Sequence, residues 1–279
     1  MLRDIMRIPP EGLGEGRSIR VEILPTAEDV ANDFARVMAN KVRENNAAGK
    51  PTCFILPVGP IRQYRRFARL CNVENIRCER LVTINMDEYL TDDKELLSPD
   101  HPMSFRGFIQ RELLDPLDED KKIPPENVIV PDPRDLGAVT RKIEETGGVD
   151  IAFGGIGITG HIAFNERPEP GERADTEEFA RSTTRIMPVA RETVVVNCIF
   201  NGGDLESVPR WCVTVGMKEI LESREIHFYL DWAWQAAIVR RAIHGLVTPH
   251  VPASYLQRHP KCTITMSEEA AALPGAEPK

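Results

Sequence analysis

Six short apolar runs recur along the chain, and most are separated by a stretch with helical spacing: CFIL (53–56), LVTINM (81–86), NVIVP (127–131), VDIAF (149–153), EIHFYL (225–230) and CTITM (262–266). Runs of this length are strand-sized, and strands that alternate with helices pair side by side in parallel with helices covering both faces. The helical stretches between them read clearly. Thr26 with Asp29 three positions on has the form of a capping box, Val30, Phe34, Val37, Met38 and Val42 share one face, and Gly49 stops the run. Further helices are expected over 61–71, within HPMSFRGFIQRELLDPL (101–117), over 136–146 and over 232–244. The expected architecture is α/β: a three-layer, doubly wound, mostly parallel sheet of Rossmann type. It forms one domain over 1–266, with no repeat or linker to divide it. Residues 166–182 are polar and rich in Pro and Glu, which predicts a mobile loop, and the tail 267–279 is expected to be disordered.

Composition narrows the function classes. Of 279 residues, 35 are Lys or Arg and 43 are Asp or Glu, a net charge of −8 that disfavours nucleic acid and anionic membrane as partners. No run reaches the length of a membrane span, and MLRDIMRIPPEG lacks the apolar core of a signal peptide, so a cytoplasmic protein is expected. The six cysteines include no C-x-x-C pair, which favours reduced, buried thiols over a metal or disulfide site.

The densest chemical signal is FGGIGITGHIAFNE (153–166), directly after the strand VDIAF. Gly155, Gly157 and Gly160 satisfy G-x-G-x-x-G, but a dinucleotide site needs a long helix and then a second strand ending in an acid. Here Pro168 and Pro170 follow almost at once, so that reading is set aside. Glycines in such number allow the backbone to approach a ligand closely. His161 follows a strand end, where open α/β sheets bind their ligands. Asn85, Asp87 and Glu88 in LVTINMDEYL stand at another strand end, so a shared cleft carrying acid–base groups is predicted.

At this point the sequence resembles the glucosamine-6-phosphate deaminase (isomerase) family, which is grouped with the 6-phosphogluconolactonases. The segments that carry the resemblance are NMDEYL (85–90), HPMSF (101–105), IPPEN (123–127), GGIGITGHIAFNE (154–166), VPRWCVTVG (208–216) and HPK (259–261), in family order. The resemblance implies conversion of an amino sugar to a ketose with release of ammonia, without metal or organic cofactor. It implies that Asp87 shuttles a proton between adjacent carbons, that His161 assists ring opening, and that Glu166 orients the histidine. It further implies a small-molecule sugar as partner and leaves homo-oligomerisation open; the expected substrate contacts are Gly59, Arg62, Glu88, Gly155, Gly157, Thr159 and Gly160.

The chain departs from the family pattern at several positions. Thr159 stands where the family has an aspartate that helps set the histidine. LPVGPIRQY (56–64) is shorter than the family's phosphate loop and lacks its small hydroxyl residues. Two basic phosphate ligands fall on Ile199 and Gln235, and an allosteric lysine of some members falls on Met187. Losing two hydrogen bonds to a charged group, about 1.5 to 3 kcal/mol each, would weaken phosphate binding by about 10² to 10⁴. Arg62 or Arg106 could compensate, whereas Arg65 and Arg66 read as a solvated helix face. Trp232 and Trp234 could wall a site for an unphosphorylated sugar or pack in the core. The alternatives are therefore a divergent amino-sugar isomerase/deaminase, the family activity with a substitute phosphate grip, or a sugar-binding relative without turnover.

Overall fold

The computed structural model describes residues 2–59, 62–169, 171–199 and 201–275. Among the described residues there are ten strands: β1 (Ile19–Leu24), β2 (Thr52–Leu56), β3 (Leu81–Asn85), β4 (Asp87–Leu90), β5 (Val128–Ile129), β6 (Ile151–Gly154), β7 (Arg185–Pro188), β8 (Trp211–Thr214), β9 (Glu225–Leu230) and β10 (Cys262–Ser267). Seven make one sheet in the order β1-β10-β9-β6-β2-β3-β5, and the pairings are parallel throughout. The central strands β6 and β2 are buried along their whole length because both faces are covered. On one face lie Phe34, Met38, Phe67 and Cys71 from the helices Ala27–Ala47 and Gln63–Val73. On the other lie Val139, Ile220, Ile238 and Val239 from helices later in the chain. This is the doubly wound, three-layer arrangement the sequence pattern predicts.

The capping box forms as read. The Thr26 hydroxyl accepts from the Asp29 N–H at 3.1 Å, the Asp29 carboxylate accepts from the Thr26 N–H at 3.2 Å, and Gly49 closes the helix at φ +68°. Three features differ from expectation. The fold opens on a short helix Leu2–Met6 and then β1, which is not among the six apolar runs, with β1 at the sheet edge beside β10. A second, three-stranded antiparallel sheet, β4-β8-β7, stands against the main one and carries its own apolar cluster around Tyr89, Phe164, Val194 and Cys212. The tail expected to be disordered from residue 267 instead continues into a helix, Glu268–Ala271, capped by Ser267. Ala270 and Ala271 are fully buried there.

That last turn is held by Arg240, a fully buried guanidinium on the helix Gln235–His244. It donates to the carbonyls of Ile8 (2.9 Å), Ala236 (2.7 Å), Ala271 (2.8 Å) and Ala272 (2.9 Å). Residues 276–279 of the expected tail lie outside the described residues. Between 166 and 182 the chain forms a helix Thr176–Ala180, capped by the Asp175 carboxylate. All six cysteines are free and buried. Among the described residues no helix is long and apolar enough to cross a membrane.

Candidate active site

In an open parallel sheet, loops leaving neighbouring strands to opposite faces open a crevice at the strands' carboxyl ends. Here the chain runs from β2 outward to β3 and β5, then returns to place β6 on the other side of β2. The loops after β2, β3, β6 and β9 enclose a cavity of about 540 Å³, lined among others by Gly59, Asp87, Gly157, His161 and Asp231. The two strand ends singled out in the sequence therefore do share one cleft.

Asp87 reaches it because the chain changes sheets at Met86. The Met86 N–H donates to the Leu56 carbonyl (2.8 Å), the Val215 N–H donates to the Met86 carbonyl (2.8 Å), and β4 begins at once, pairing Asp87 with Thr214. The carboxyl is 7 % exposed and faces the cavity. Burial, reinforced by the neighbouring Glu88 and partly offset by His161, pushes its pKa up to about 8. Successive strand residues point to opposite faces, so Glu88 points away. It does not line the cavity. Its carboxylate accepts from the N–H groups of Tyr89 (2.8 Å), Phe105 (2.9 Å) and Arg106 (2.7 Å) and from the Ser104 hydroxyl (3.1 Å), closing the start of the helix Phe105–Ile109. The expectation that Glu88 binds substrate is corrected: it is a buried helix anchor.

The glycine loop is built around the histidine ring. A Cβ on Gly157 would lie 1.9 Å from His161 Nε2, so the imidazole can rest there only over a glycine. Gly155 and Gly157 line the cavity. Gly160 does not; it takes φ +88° against Ile238 and Val251, so it shapes the turn rather than touching a ligand. The Gly157 N–H donates to the His161 carbonyl (3.0 Å) and the Gly160 N–H to the Gly157 carbonyl (2.9 Å). Those two amides hold the loop closed and are not aimed into the cavity.

His161 Nδ1 donates to Glu166 Oε1 at 2.9 Å, which leaves Nε2 over Gly157. Glu166 is itself fixed by two hydroxyls. Thr159 donates to its Oε2 at 2.7 Å and also lies 2.9 Å from His161 Nδ1, and Thr193, on the helix Arg191–Ile199, donates to Oε1. Neither Glu166 nor Thr159 lines the cavity. Thr159 thus positions the acid–base pair and is not a substrate ligand, a second correction. Burial opposes ionisation of Glu166, but the charge and hydrogen bond of His161, with those of Thr193 and Thr159, bring its pKa down to about 2. For His161, burial favours the neutral ring, yet the Glu166 carboxylate and then Asp87 outweigh it and raise the pKa. One further position is strained: Ala163, between His161 and Glu166, sits at φ +54°.

The chain is similar over nearly its whole length to curated deaminases. It is 32% identical over 260 residues to the glucosamine-6-phosphate deaminase of Rhodopirellula baltica, covering 91% of this chain and 96% of that protein. It is 31% identical over 263 residues to that of Caenorhabditis elegans, covering 91% of each. The chain belongs to the glucosamine-6-phosphate deaminase family. Among solved structures, a monomeric glucosamine-6-phosphate deaminase superposes with a TM-score of 0.78 at 27% identity, covering 91% of this chain and all of that one. The 6-phosphogluconolactonase of Trypanosoma cruzi shares the fold, with a TM-score of 0.67 at 15% identity and 91% of this chain covered. No protein-family model matches.

Around this cavity the loops after β2 and β9 contribute few cations. Gly59 and Arg62 line the cavity, and Arg62 is the one lysine or arginine among the described lining residues. Its Nη1 is paired with Glu28 at 3.1 Å, and Arg66 pairs with the same carboxylate. Arg65 pairs with Glu112, so Arg65 and Arg66 form the ion-paired surface the sequence suggests. Arg106 donates from Nε to the Leu97 carbonyl (3.1 Å) and does not line the cavity. Ile199 is exposed and also does not line it. Gln235 does line it, but its side chain is a brace. Its Oε1 accepts from the Asp231 (3.1 Å) and Trp232 (3.0 Å) N–H groups, and its Nε2 donates to the Ile156 carbonyl (3.0 Å). Trp232 and Trp234 stand in the cavity wall, 42% and 39% exposed, rather than in the core.

Sequence reasoning missed Thr193, Asn197 and Asp231, all of which line the cavity. Thr193 lies in RETVVVNCI, where helical periodicity gives no sign of a contact thirty residues away.

Proposed function

We propose that this protein converts an amino aldose to a ketose with release of ammonia, Asp87 moving the carbon-bound proton and His161 serving ring opening. The observation that carries this reading is the pairing in one cavity of a carboxyl raised to about 8 with an imidazole whose far nitrogen is held by a carboxylate. Protonated at Nε2, His161 relays a proton to the ring oxygen as the anomeric hydroxyl gives one up, opening the pyranose. Ionised Asp87 then removes the proton from C2, giving an enolamine, and returns it to C1. Water adds to the resulting C2 imine and ammonia leaves, so the sum is amino aldose plus water to ketose plus ammonia.

The assignment suits the tuning. A carboxylate made basic by burial is a stronger acceptor for a proton on carbon than an exposed one. Glu166 favours the cationic form of the imidazole and fixes the ring, and Thr159 and Thr193 hold the carboxylate in place. The test is ammonia release from amino sugars by the purified protein, with Asp87→Asn as control. Turnover by the wild type and its loss in Asp87→Asn, with binding kept, is the expected result. Undiminished turnover in that variant, or none by the wild type on any amino sugar, would sink the reading.

A further inference from the structure

The loops after β2 and β9 bring together Arg62, Asp231, Trp232 and Trp234 in the cavity wall. A phosphate monoester carries about −1.5 to −2 charges at neutral pH, and sites that select it converge unpaired cations and N–H donors on it. This wall does the reverse. Its arginine is already paired with Glu28, which also serves Arg66, and the Asp231 carboxyl is added within Arg62's field. Two arginines and two acids leave no net charge for an anion. Asp231 would repel one.

The same residues suit a different ligand. A carboxylate and amides accept and donate to sugar hydroxyls, and an indole covers the C–H face of a sugar ring. Two indoles, 42% and 39% exposed, follow Asp231 in sequence on a segment that Gln235 fixes through the backbone of Asp231 and Trp232. Asn197 is a further polar lining residue, its Nδ2 donating to the Tyr89 hydroxyl at 2.8 Å. Resting on the proposed function, we infer that Asp231, Trp232 and Trp234 form a neutral-sugar subsite, and that the substrate is an amino sugar bearing a hydroxyl or other uncharged group where the curated relatives' named substrate carries phosphate.

Binding and turnover test this separately. Indole fluorescence is titrated with glucosamine and with glucosamine 6-phosphate, using Asp87→Asn to hold the ligand unreacted; Trp211, the third tryptophan, lies on β8 and serves as background. The expected result is at least about tenfold tighter binding of the neutral sugar. Trp234→Ala should lower its affinity by about tenfold, and the isosteric Asp231→Asn should reduce the neutral-over-phosphate ratio at least about fivefold. Circular dichroism checks that each variant is folded, and Trp234→Phe, retaining an aromatic face, should restore most of the affinity. Equal or tighter binding of the phosphorylated sugar, no binding of either, or a ratio unmoved by Asp231→Asn would overturn the inference. Preferential ammonia release from the phosphorylated sugar would overturn it while leaving the catalytic reading intact. Tight neutral binding without ammonia release would do the opposite.

Discussion

The two parts of the cavity are built on opposite principles. Around Asp87 and His161 the acid–base groups are largely shielded from water, and the imidazole has its position fixed by partners: glycine beneath it, Glu166 behind it, two threonines behind Glu166. Around Trp232 and Trp234 the wall is exposed, and its charges neutralise one another. Interlocked polar groups tolerate little change, because removing one member strands the others without water. A wall of exposed rings and paired surface charges can be altered residue by residue at small cost. On the function proposed above, the interlocked end would hold the acid–base chemistry and the exposed wall would be the end free to change.

The comparison predicts a steep gradient of mutational effects. Asp87→Asn should lower kcat by about 10³ or more, with binding largely kept, as measured by steady-state ammonia release and titration. Glu166→Gln should cost about 10² to 10³ in kcat and lower the pKa of His161, seen as a shift of the pH profile; an unchanged profile would mean the carboxylate does not tune the ring. Thr193→Val, removing one hydroxyl from Glu166, should cost about tenfold. Arg62→Ala should change kcat/KM for a neutral substrate by less than about threefold, since its charge is already paired. A large loss there would erase the distinction between the two ends.

Acidity sharpens the contrast. With ionised Asp87 as the proposed base, kcat/KM should rise with pH through an apparent pKa near 8. The same shift costs stability. Above its ordinary pKa near 3.8 the unfolded chain ionises Asp87 while the folded chain does not, so folding is disfavoured increasingly from about pH 4 up to about 8. Asp87→Asn should therefore raise the melting temperature little at pH 4 and most at pH 8 and above, by the equivalent of a few kcal/mol. Glu166 acts in the other direction: with its pKa brought down to about 2, it stabilises the fold above about pH 4.5 and loses that effect as pH falls toward 2. The smallest expected effect is Ala163→Gly, which relieves a left-handed backbone and should stabilise by up to about 1 kcal/mol in thermal unfolding.

The parallel sheet and its covering helices were legible because their signals are local: apolar runs of strand length and 3.6-residue periodicity. β4 was not, because LVTINMDEYL runs without a turn residue through the point where the chain changes sheets. That break is made by hydrogen bonds from Met86 to Leu56 and from Val215 to Met86, which no local pattern encodes. Glu88 was misplaced for the same reason, since adjacency to Asp87 in sequence means opposite faces in a strand. Gly160 and Thr159 belong to the motif but serve its shape, and a motif does not separate the residues that touch a ligand from those that aim them. Asp87, His161, Glu166, Gly59, Arg62, Gly155 and Gly157 were found at or directly behind the cavity.

The order of strands in the main sheet also has a consequence for how the protein is made. β1 emerges first of the ten strands, yet its one neighbour in the sheet is β10, which emerges last and sits between β1 and β9. Arg240 then closes on carbonyls from both Ile8 and the turn after β10. β1 therefore has no strand to pair with until β10 has been synthesised, and a chain released short of residue 272 leaves a strand edge and a guanidinium exposed together. An unpaired edge of that kind is what chaperones and proteases act on, so the pairing of β1 with β10 sets the point at which the sheet closes.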